Sequence, residues 1–420
     1  MGWGNIVNTV KKVVEKNLCI SCGACQAACP KSCISYTRIN GLYLPQIDES
    51  NCIKCGLCET VCPGKGVTYP GCADSFERLL AGEVIECISA RTQNEELYNI
   101  SASGGVITNL IDILLQNGRY DSAFVVDTYN YAEKVFTKEY VKYQNLNNTP
   151  KSRYIPIMQT DAFKAMKEFP EKRIILVGTS CFVHAATNFI ETFHLNRENY
   201  LIVGLFCEKT MNYNVFEYFQ FLSGKTNQKK VKELFFRSKE VGGWPGDVLL
   251  KYDDDSRSHY SNAERMDVKD YYMPERCMYC LDKLNVFSDI SVGDDYTHGF
   301  SGEGRSSVII RSKRGFTAFS EVFGYLNVRE QTLEDILKAQ KINEKIRNYH
   351  YGRVSGNEIE HINLDIAEDS SKYTNDFSIL RKKMALGQSG EAEVIYKRNR
   401  RNRLERRVKG VIKRILIRNN

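Results

Sequence analysis

C-I-S-C-G-A-C-Q-A-A-C-P at residues 19–30 and C-I-K-C-G-L-C-E-T-V-C-P at residues 52–63 are two copies of one pattern. Each reads C-x2-C-x2-C-x3-C-P, the run that ligates 4Fe–4S clusters in bacterial two-cluster ferredoxins. A single C-x2-C also fits zinc or a redox dithiol. Two complete repeats, each closed by proline, leave little room for either. In this pattern the fourth cysteine serves the other cluster. One ligand set is therefore expected to be Cys19, Cys22, Cys25 and Cys62, and the other Cys52, Cys55, Cys58 and Cys29. Gly23 and Gly56 let the backbone approach closely, so that amides can point at cluster sulfurs. The strand-like I-S-Y at 34–36 and V-T-Y at 67–69 follow the two runs and are expected to pair. The unit covers about residues 12–70. It is too short to bury a large core, so the metal supplies much of its folding energy.

The chain has 420 residues, enough for two or three domains. No run of eighteen apolar residues is present, and the first residues lack the apolar stretch of a signal peptide. Fifteen cysteines in an exported protein would suggest disulfides, but the ferredoxin spacing of eight of them argues for a reducing cytoplasm. The net charge of +7 is unevenly placed. Residues 397–420 hold eleven basic residues and one acid, so the rest of the chain is slightly acidic and offers no specific nucleic-acid surface. Within that tail Leu404, Val408, Val411, Ile412, Ile415 and Leu416 recur at helical spacing. A basic amphipathic helix of this kind fits peripheral contact with an anionic inner-membrane face or with a protein partner. It fits a solubilising terminus equally.

The body reads as α/β. Strands are expected at 84–91, 121–127, 173–178 and 200–206, with helices at 106–118, 182–194 and 212–223. S-A-S-G-G at 101–105 precedes a helix, where Ser101, Ser103, Gly104 and Gly105 read either as a phosphate-binding turn or as an ordinary helix cap. Cys181 and Cys207 follow two of the strands, and Cys277 and Cys280 form a lone C-M-Y-C. In open α/β sheets ligands collect at the carboxyl ends of strands. The four cysteines read either as ligands of a third cluster or as inert core residues beside an empty motif.

Further along, S-A-S-G-G-V-I-T-N-L, D-S-A-F-V-V, K-S-R-Y at 151–154, G-T-S-C at 178–181, V-G-L-F-C-E at 203–208, C-M-Y-C and S-D-I-S-V-G-D at 288–294 occur in one order. In these pieces residues 84–315 resemble the family formed by the β-subunits of deazaflavin-reducing hydrogenases and dehydrogenases. That family includes a flavoprotein acting on chlorophyll a and ferredoxin-fused enzymes of sulfite and glutamate metabolism. The resemblance implies a non-covalent FAD, with a third 4Fe–4S cluster beside it on Cys181, Cys207, Cys277 and Cys280. It also implies a cofactor site built from Ser101, Ser103, Gly104, Gly105, Thr108, Lys151, Ser152, Arg153, Tyr154, Gly293 and Asp294. Arg153 is the expected anion contact and Tyr154 a stacking ring; turn formation is the plainer reading of Asp294. His298 is the candidate proton donor, or else a solvated loop histidine. His184 could tune the third cluster or simply pack. The loop V-G-G-W-P-G at 241–246 is a candidate lid. Cys33, Cys72 and Cys87 are left without a metal role.

The expected architecture is thus a ferredoxin-like two-cluster domain (12–70), a mixed α/β flavin and cluster domain (84–315), a mainly helical appendage (316–396) and the basic tail (397–420). The expected function is an iron–sulfur flavoprotein oxidoreductase, as monomer or oligomer. It would exchange electrons between a ferredoxin or other redox protein and a small organic acceptor. The alternative is an electron-transfer subunit of a larger complex with no substrate of its own. A third reading is a regulatory cluster protein that binds a partner through the tail.

Overall fold

The structure, a computed structural model, describes residues 9–71, 73–127, 135, 137–224, 229, 231–297, 299 and 303–418. The cysteine unit carries one hairpin, β1 (Ile34–Ile39) and β2 (Leu42–Ile47), with Tyr36 opposite Pro45. Asn40 and Gly41 form its turn with φ of 51° and 76°. Asn-Gly favours this two-residue turn, whose twist matches the strands it joins. The strand β3 (Val67–Thr68) pairs instead in parallel with Glu360–His361. The expected pairing of 34–36 with 67–69 is therefore not formed. The Asn-Gly turn gives Ile34–Ile39 a nearer partner, and Val67 meets one from much later in the chain.

The body is a mixed sheet. Its first strands are β4 (Glu86–Thr92), β5 (Ser122–Val126), β6 (Thr137–Tyr140), β7 (Ile174–Thr179) and β8 (Tyr200–Leu205). A separate antiparallel sheet follows, made of β9 (Val231–Ser238), β10 (Asp247–Tyr252) and β11 (Arg257–Tyr260). The chain then returns through β12 (Ile290–Asp294), β13 (Ser306–Ile310) and β14 (Leu326–Glu330) to give the order β14-β4-β13-β12-β8-β7-β5-β6. The four strands β5, β7, β8 and β12 run parallel; the flanking pairs are antiparallel. The sheet thus continues past residue 315. Helix Lys313–Ser320 and β14 belong to it rather than to an appendage, because β14 covers the open edge of β4.

Both faces are covered, and the strands alternate accordingly. Ile175, Leu201 and Val203 face helices Val106–Gln116 and Lys313–Ser320 through Leu110, Leu114 and Phe319. Ile174, Leu176, Tyr200 and Ile202 face Phe163, Val183 and Phe189 of helices Thr160–Glu168 and Ser180–Thr192. The cysteine unit joins this second face through Ile20, Ala24, Ala28 and Val61. Gln159 N–H donates to the Cys22 carbonyl at 2.9 Å. Gly23 leaves room for this contact, since a Cβ there would stand 2.8 Å from the Thr160 nitrogen.

The later helices fold back over the same region. Tyr351, Phe377 and Met384, from helices Ile346–Ser355 and Thr374–Gln388, pack with Met278 and Tyr279 beside the leading cysteines. The last helix, Ala392–Arg418, is fastened by buried Ile395 and by Arg403, which pairs with Asp267 at 2.6 Å and Glu264 at 3.3 Å. Beyond that anchor Leu404 and Val408 are exposed. Among the described residues no helix is long and apolar enough to cross a membrane.

Asp289 ties three elements at the amino end of β12. Its carboxylate, 2% exposed, accepts from Arg197, Ile202 N–H, Ser312 and Arg314 at 2.7–3.0 Å. Replacing it with alanine strands a buried amide and leaves Arg314 with Glu198 alone of its two acids. Asp289→Ala is expected to cost about 3 kcal/mol, the lower end for breaking a buried pair, because Arg197 keeps access to water. A thermal midpoint within a degree of the parent's would refute this account of the network.

Candidate functional site

In each cysteine run the glycine after the second cysteine adopts a left-handed conformation, φ 91° at Gly23 and 78° at Gly56. Each starts a short helix, Ala24–Ala28 or Leu57–Thr60. That turn wraps three cysteines of a run round one centre. The structure brings Cys22 into electrostatic contact with Cys62, Cys25 and Cys19. Burial pushes the Cys19 thiol up to about 12 and repulsion from Cys62 adds to it; burial likewise raises Cys62 to about 11. Cys29, Cys52, Cys55 and Cys58 line a separate small pocket. Donors already face these sulfurs: Ser21 N–H lies 3.4 Å from Cys19, Val10 N–H 3.5 Å from Cys58, and Tyr36 Oη 3.1 Å from Cys25.

A third group forms at the carboxyl edge of the parallel strands. Cys181 follows β7 and Cys207 follows β8. Cys277 and Cys280 come from helix Glu275–Tyr279 and the residue after it. Cys207 is raised by burial and then by repulsion from Cys277, Cys181 and Cys280, so the four sulfurs share one environment. Among the described residues no three ligand side chains converge tightly enough for a single metal ion. A cubane does not require that, since each thiolate binds its own iron.

Buried cations stand against these sulfurs. Arg276, 1% exposed, lies near Cys62, Cys181 and Cys280, and so between two of the groups. It pairs with Glu360 at 2.6 Å, yet its Nε and Nη1 have no hydrogen-bond acceptor among the described residues. Lys345, also 1% exposed, donates to the carbonyls of Cys280 at 3.2 Å and Glu208 at 3.1 Å. Burial works against its charge, but Glu208 and the sulfurs of Cys280, Cys207 and Cys277 outweigh it. Asn348 donates to the carbonyls of Cys277 and Cys280 at 3.2 and 2.9 Å. Four sulfurs with cations and amide donors gathered about them fit an anionic iron–sulfur cluster.

Cys207, Glu208 and Lys209 are consecutive, and they lead from the sulfurs to a second, cationic region. Tyr154 is its centre. The Arg265 guanidinium lies 4.6 Å from the ring centroid and Lys269 Nζ 5.1 Å from it. Burial raises the Tyr154 phenol, but Arg237, Arg265 and Lys269 together pull it below its ordinary value. Arg265 is 4% exposed, and its Nε and Nη1 have no acceptor among the described residues. Burial, with Arg265 next among the lowering causes, brings Lys269 to about 8; burial and then Arg237 lower Lys239 to about 7. Arg237 is held charged by Asp294 at 2.5 and 2.8 Å, and Trp244 Nε1 also donates to Asp294 at 3.0 Å. Such an excess of buried positive charge beside an aromatic ring suits an anionic aromatic cofactor.

Several expected cofactor contacts are committed within the protein. Ser101 donates to the Leu97 carbonyl at 2.7 Å and Ser103 to that of Arg305 at 2.6 Å. Gly104 is required by packing, since a Cβ there would stand 2.5 Å from the Ala90 oxygen. Gly105 caps the helix with φ 74°, and Thr108 is half-buried one turn on. The Arg153 guanidinium, expected as the anion contact, instead organises its own loop, donating to the carbonyls of Thr149 at 2.8 Å and Lys151 at 2.9 Å. Ser152 is half-buried in that loop, and Lys151 places Nζ 5.4 Å from the Phe235 ring. Gly293 is filled by Phe206, whose ring would be 2.1 Å from an added Cβ. Trp244 of the expected lid is 3% exposed and anchored, which makes it a wall rather than a flap. His184 pairs with buried Asp282 at 2.8 Å. His298 and Cys72 lie outside the described residues. The cations Arg237, Arg265 and Lys269 carry no motif; only the aromatic and glycine-rich loop between 241 and 246 pointed towards them. Gly293→Ala is expected to cost about 2 kcal/mol by overpacking. Equal thermal midpoints for variant and parent would show that Phe206 yields freely.

Comparison with known proteins follows the same division. Residues 18–66 match a family model described as 4Fe-4S dicluster domain. Residues 171–336 match one that describes the C terminus of the beta subunit of coenzyme F420 hydrogenase/dehydrogenase. An F(420)H(2) dehydrogenase subunit of Methanosarcina mazei is 24% identical over 82% of this chain and 94% of its own length. The coenzyme F420-dependent sulfite reductase of Methanocaldococcus jannaschii is 25% identical over 80% of this chain, which spans only 50% of that protein. A chain of the F420-reducing NiFe hydrogenase complex from Methanosarcina barkeri superposes with a TM-score of 0.50 at 20% identity, covering 69% of this chain and 98% of that one. The chain thus carries a 4Fe-4S dicluster unit at residues 18–66 and, at 171–336, a region of the coenzyme F420 hydrogenase/dehydrogenase β-subunit type, on a fold shared with the hydrogenase chain, and is an iron–sulfur protein of electron transfer.

Proposed function

We propose that the chain is an iron–sulfur flavoprotein oxidoreductase, with clusters on its three four-cysteine groups and FAD at the Tyr154 region. The observation that carries this reading is the buried Arg265, with acceptor-less N–H groups beside Tyr154, reached from the third sulfur group through Cys207-Glu208-Lys209. When bound, the clusters pass single electrons and the flavin converts them into a pair for an organic acceptor. The residues do the rest. Arg265 and Lys269 meet negative charge on the cofactor, and Tyr154 offers a ring face. Asp294 keeps Arg237 charged and Trp244 in place, which closes that side of the site to water. Arg276 and Lys345 offset the charge of the sulfurs. The exposed Leu404 and Val408 on the basic last helix support its reading as a contact for anionic lipid or a partner protein.

A second reading is favoured by the name of the Methanosarcina mazei relative, which is a subunit of a dehydrogenase. On that reading this chain relays electrons inside a larger assembly, with coenzyme F420 or a ferredoxin at one end, and has no acceptor of its own. Stable co-purification of the native protein with a catalytic chain would favour it.

Anaerobically purified protein is expected to hold about twelve irons per chain, four for each group. Cys207→Ala should lose about four of them while leaving the ferredoxin-type irons in place. An iron content unchanged by that substitution would exclude the third cluster.

Acid extraction is expected to release FAD at about one per chain, the occupancy of a single site at the Tyr154 region. Arg265→Gln should lower its affinity at least about tenfold, the scale of one charged hydrogen bond. The hold should also weaken as pH rises past Lys269, which is charged below about 8 and becomes neutral above. Flavin-fluorescence titrations that give the same Kd on both sides of this value would contradict an anion held by Lys269.

A further inference from the structure

Cys33 is left over once four cysteines are assigned to each group, yet it does not stand apart from them. Its Sγ lies 3.4 Å from Cys29 Sγ. It is also in hydrogen-bonding and electrostatic contact with Cys52. It lines the same pocket as Cys29, Cys52, Cys55 and Cys58. A buried free cysteine ordinarily behaves as a small apolar side chain. This one faces sulfur on two sides.

The backbone makes that placement definite. Between the two thiols the chain reads Cys29-Pro30-Lys31-Ser32-Cys33. Ser32 has φ 50°, and its N–H donates to the Cys29 carbonyl at 3.3 Å, closing a tight turn. Asp48 N–H then donates to the Cys33 carbonyl at 2.9 Å and fixes the start of β1. Cys33 is therefore held by the hairpin, independently of the loop that carries Cys29. The setting matters because the two leading groups differ in exposure. Cys19, Cys22, Cys25 and Cys62 are buried, whereas Cys55 is exposed and Cys29 and Cys52 are half-buried. A cluster on the open group meets solvent, oxidants and chelators first. Its Cys29 corner lies at the half-buried end of a short helix, next to a spare thiol that the hairpin anchors.

We propose that Cys33 is a reserve ligand for this outer cluster, taking over the iron corner held by Cys29 when that bond is lost. The proposal rests on the outer group holding a cluster. The exchange is redox-neutral. The iron–sulfur bond to Cys29 breaks, the bond to Cys33 forms, and the Cys33 thiol proton passes to the departing Cys29 sulfur. A thiol tethered four residues away has a high effective concentration at that corner, so it outcompetes water and free thiols. The result is a cluster that keeps four cysteine ligands after its bond to Cys29 is lost.

The test is iron content of the full-length protein, purified without oxygen. Cys29→Ala is expected to keep the parent's iron, and Cys33→Ala to do the same. The double variant Cys29→Ala/Cys33→Ala should lose about four irons. A Cys29→Ala protein that loses as much iron as the double variant overturns the proposal alone. A parent whose iron is unchanged when Cys55 is replaced by alanine, showing no cluster on the open group, overturns the cluster reading and the proposal with it. Because Cys29→Ala can fail to fold, a second measurement uses intact ligands. Iron release to a ferrous chelator in air is compared for the parent and Cys33→Ala. Release at least about threefold faster without Cys33 is expected if re-ligation competes with escape. Equal rates overturn the proposal.

Discussion

Buried negative charge must be met by buried positive charge, and much of this molecule is arranged around that requirement. Three groups of cysteines are drawn together, and burial with mutual repulsion raises the thiols in the interior ones. Thiolates in such places are tolerable only when metal and nearby cations share the charge. Arg276 and Lys345 supply that compensation from positions almost without solvent contact. Each is held by an acid, Glu360 or Glu208, so that it stays charged and in place. The same principle operates with reversed sign around Tyr154. There the buried cations Arg237 and Arg265 stand against one largely buried acid, Asp294.

This requirement also explains why the cysteine unit is not a loosely tethered module. Its helix Ala24–Ala28 seats against helix Thr160–Glu168 on one face of the main sheet, and the later helices cover it from the other side. The sulfur of Cys62 and the sulfurs of Cys181 and Cys280 share one guanidinium. Electron transfer between cofactors at such sites benefits from fixed separation and low reorganisation. A rigid shared cation serves both.

The cysteine runs, the parallel strands ending in Cys181 and Cys207, and the helix after Gly105 were all legible, because spacing and periodicity are local properties. Asn40-Gly41 was equally local, and reading it would have replaced the pairing of 34–36 with 67–69 by a hairpin. Glu360–His361 as partner of Val67–Thr68 was not legible, since two-residue strands carry no periodic pattern. Arg265 and Lys269 look like ordinary surface charges on a helix; only burial against Tyr154 distinguishes them. Arg153 shows the converse. Its neighbours resemble a cofactor-lining stretch, but the nearest acceptors for its guanidinium are the carbonyls of its own loop, and a local partner is satisfied first.

The parallel pairing of Val67–Thr68 with Glu360–His361 has a temporal consequence. A ribosome delivers the two ferredoxin-type runs early and Glu360 much later. Until then Arg276 lacks its counter-ion, and the helices that roof Cys277 and Cys280 have not yet formed. Contacts this distant in sequence are slow to close and add little until both ends are present. The interior sulfur group is consequently the last of the three to be enclosed, and it is residues 345–360, long after the cysteines themselves, that close over it.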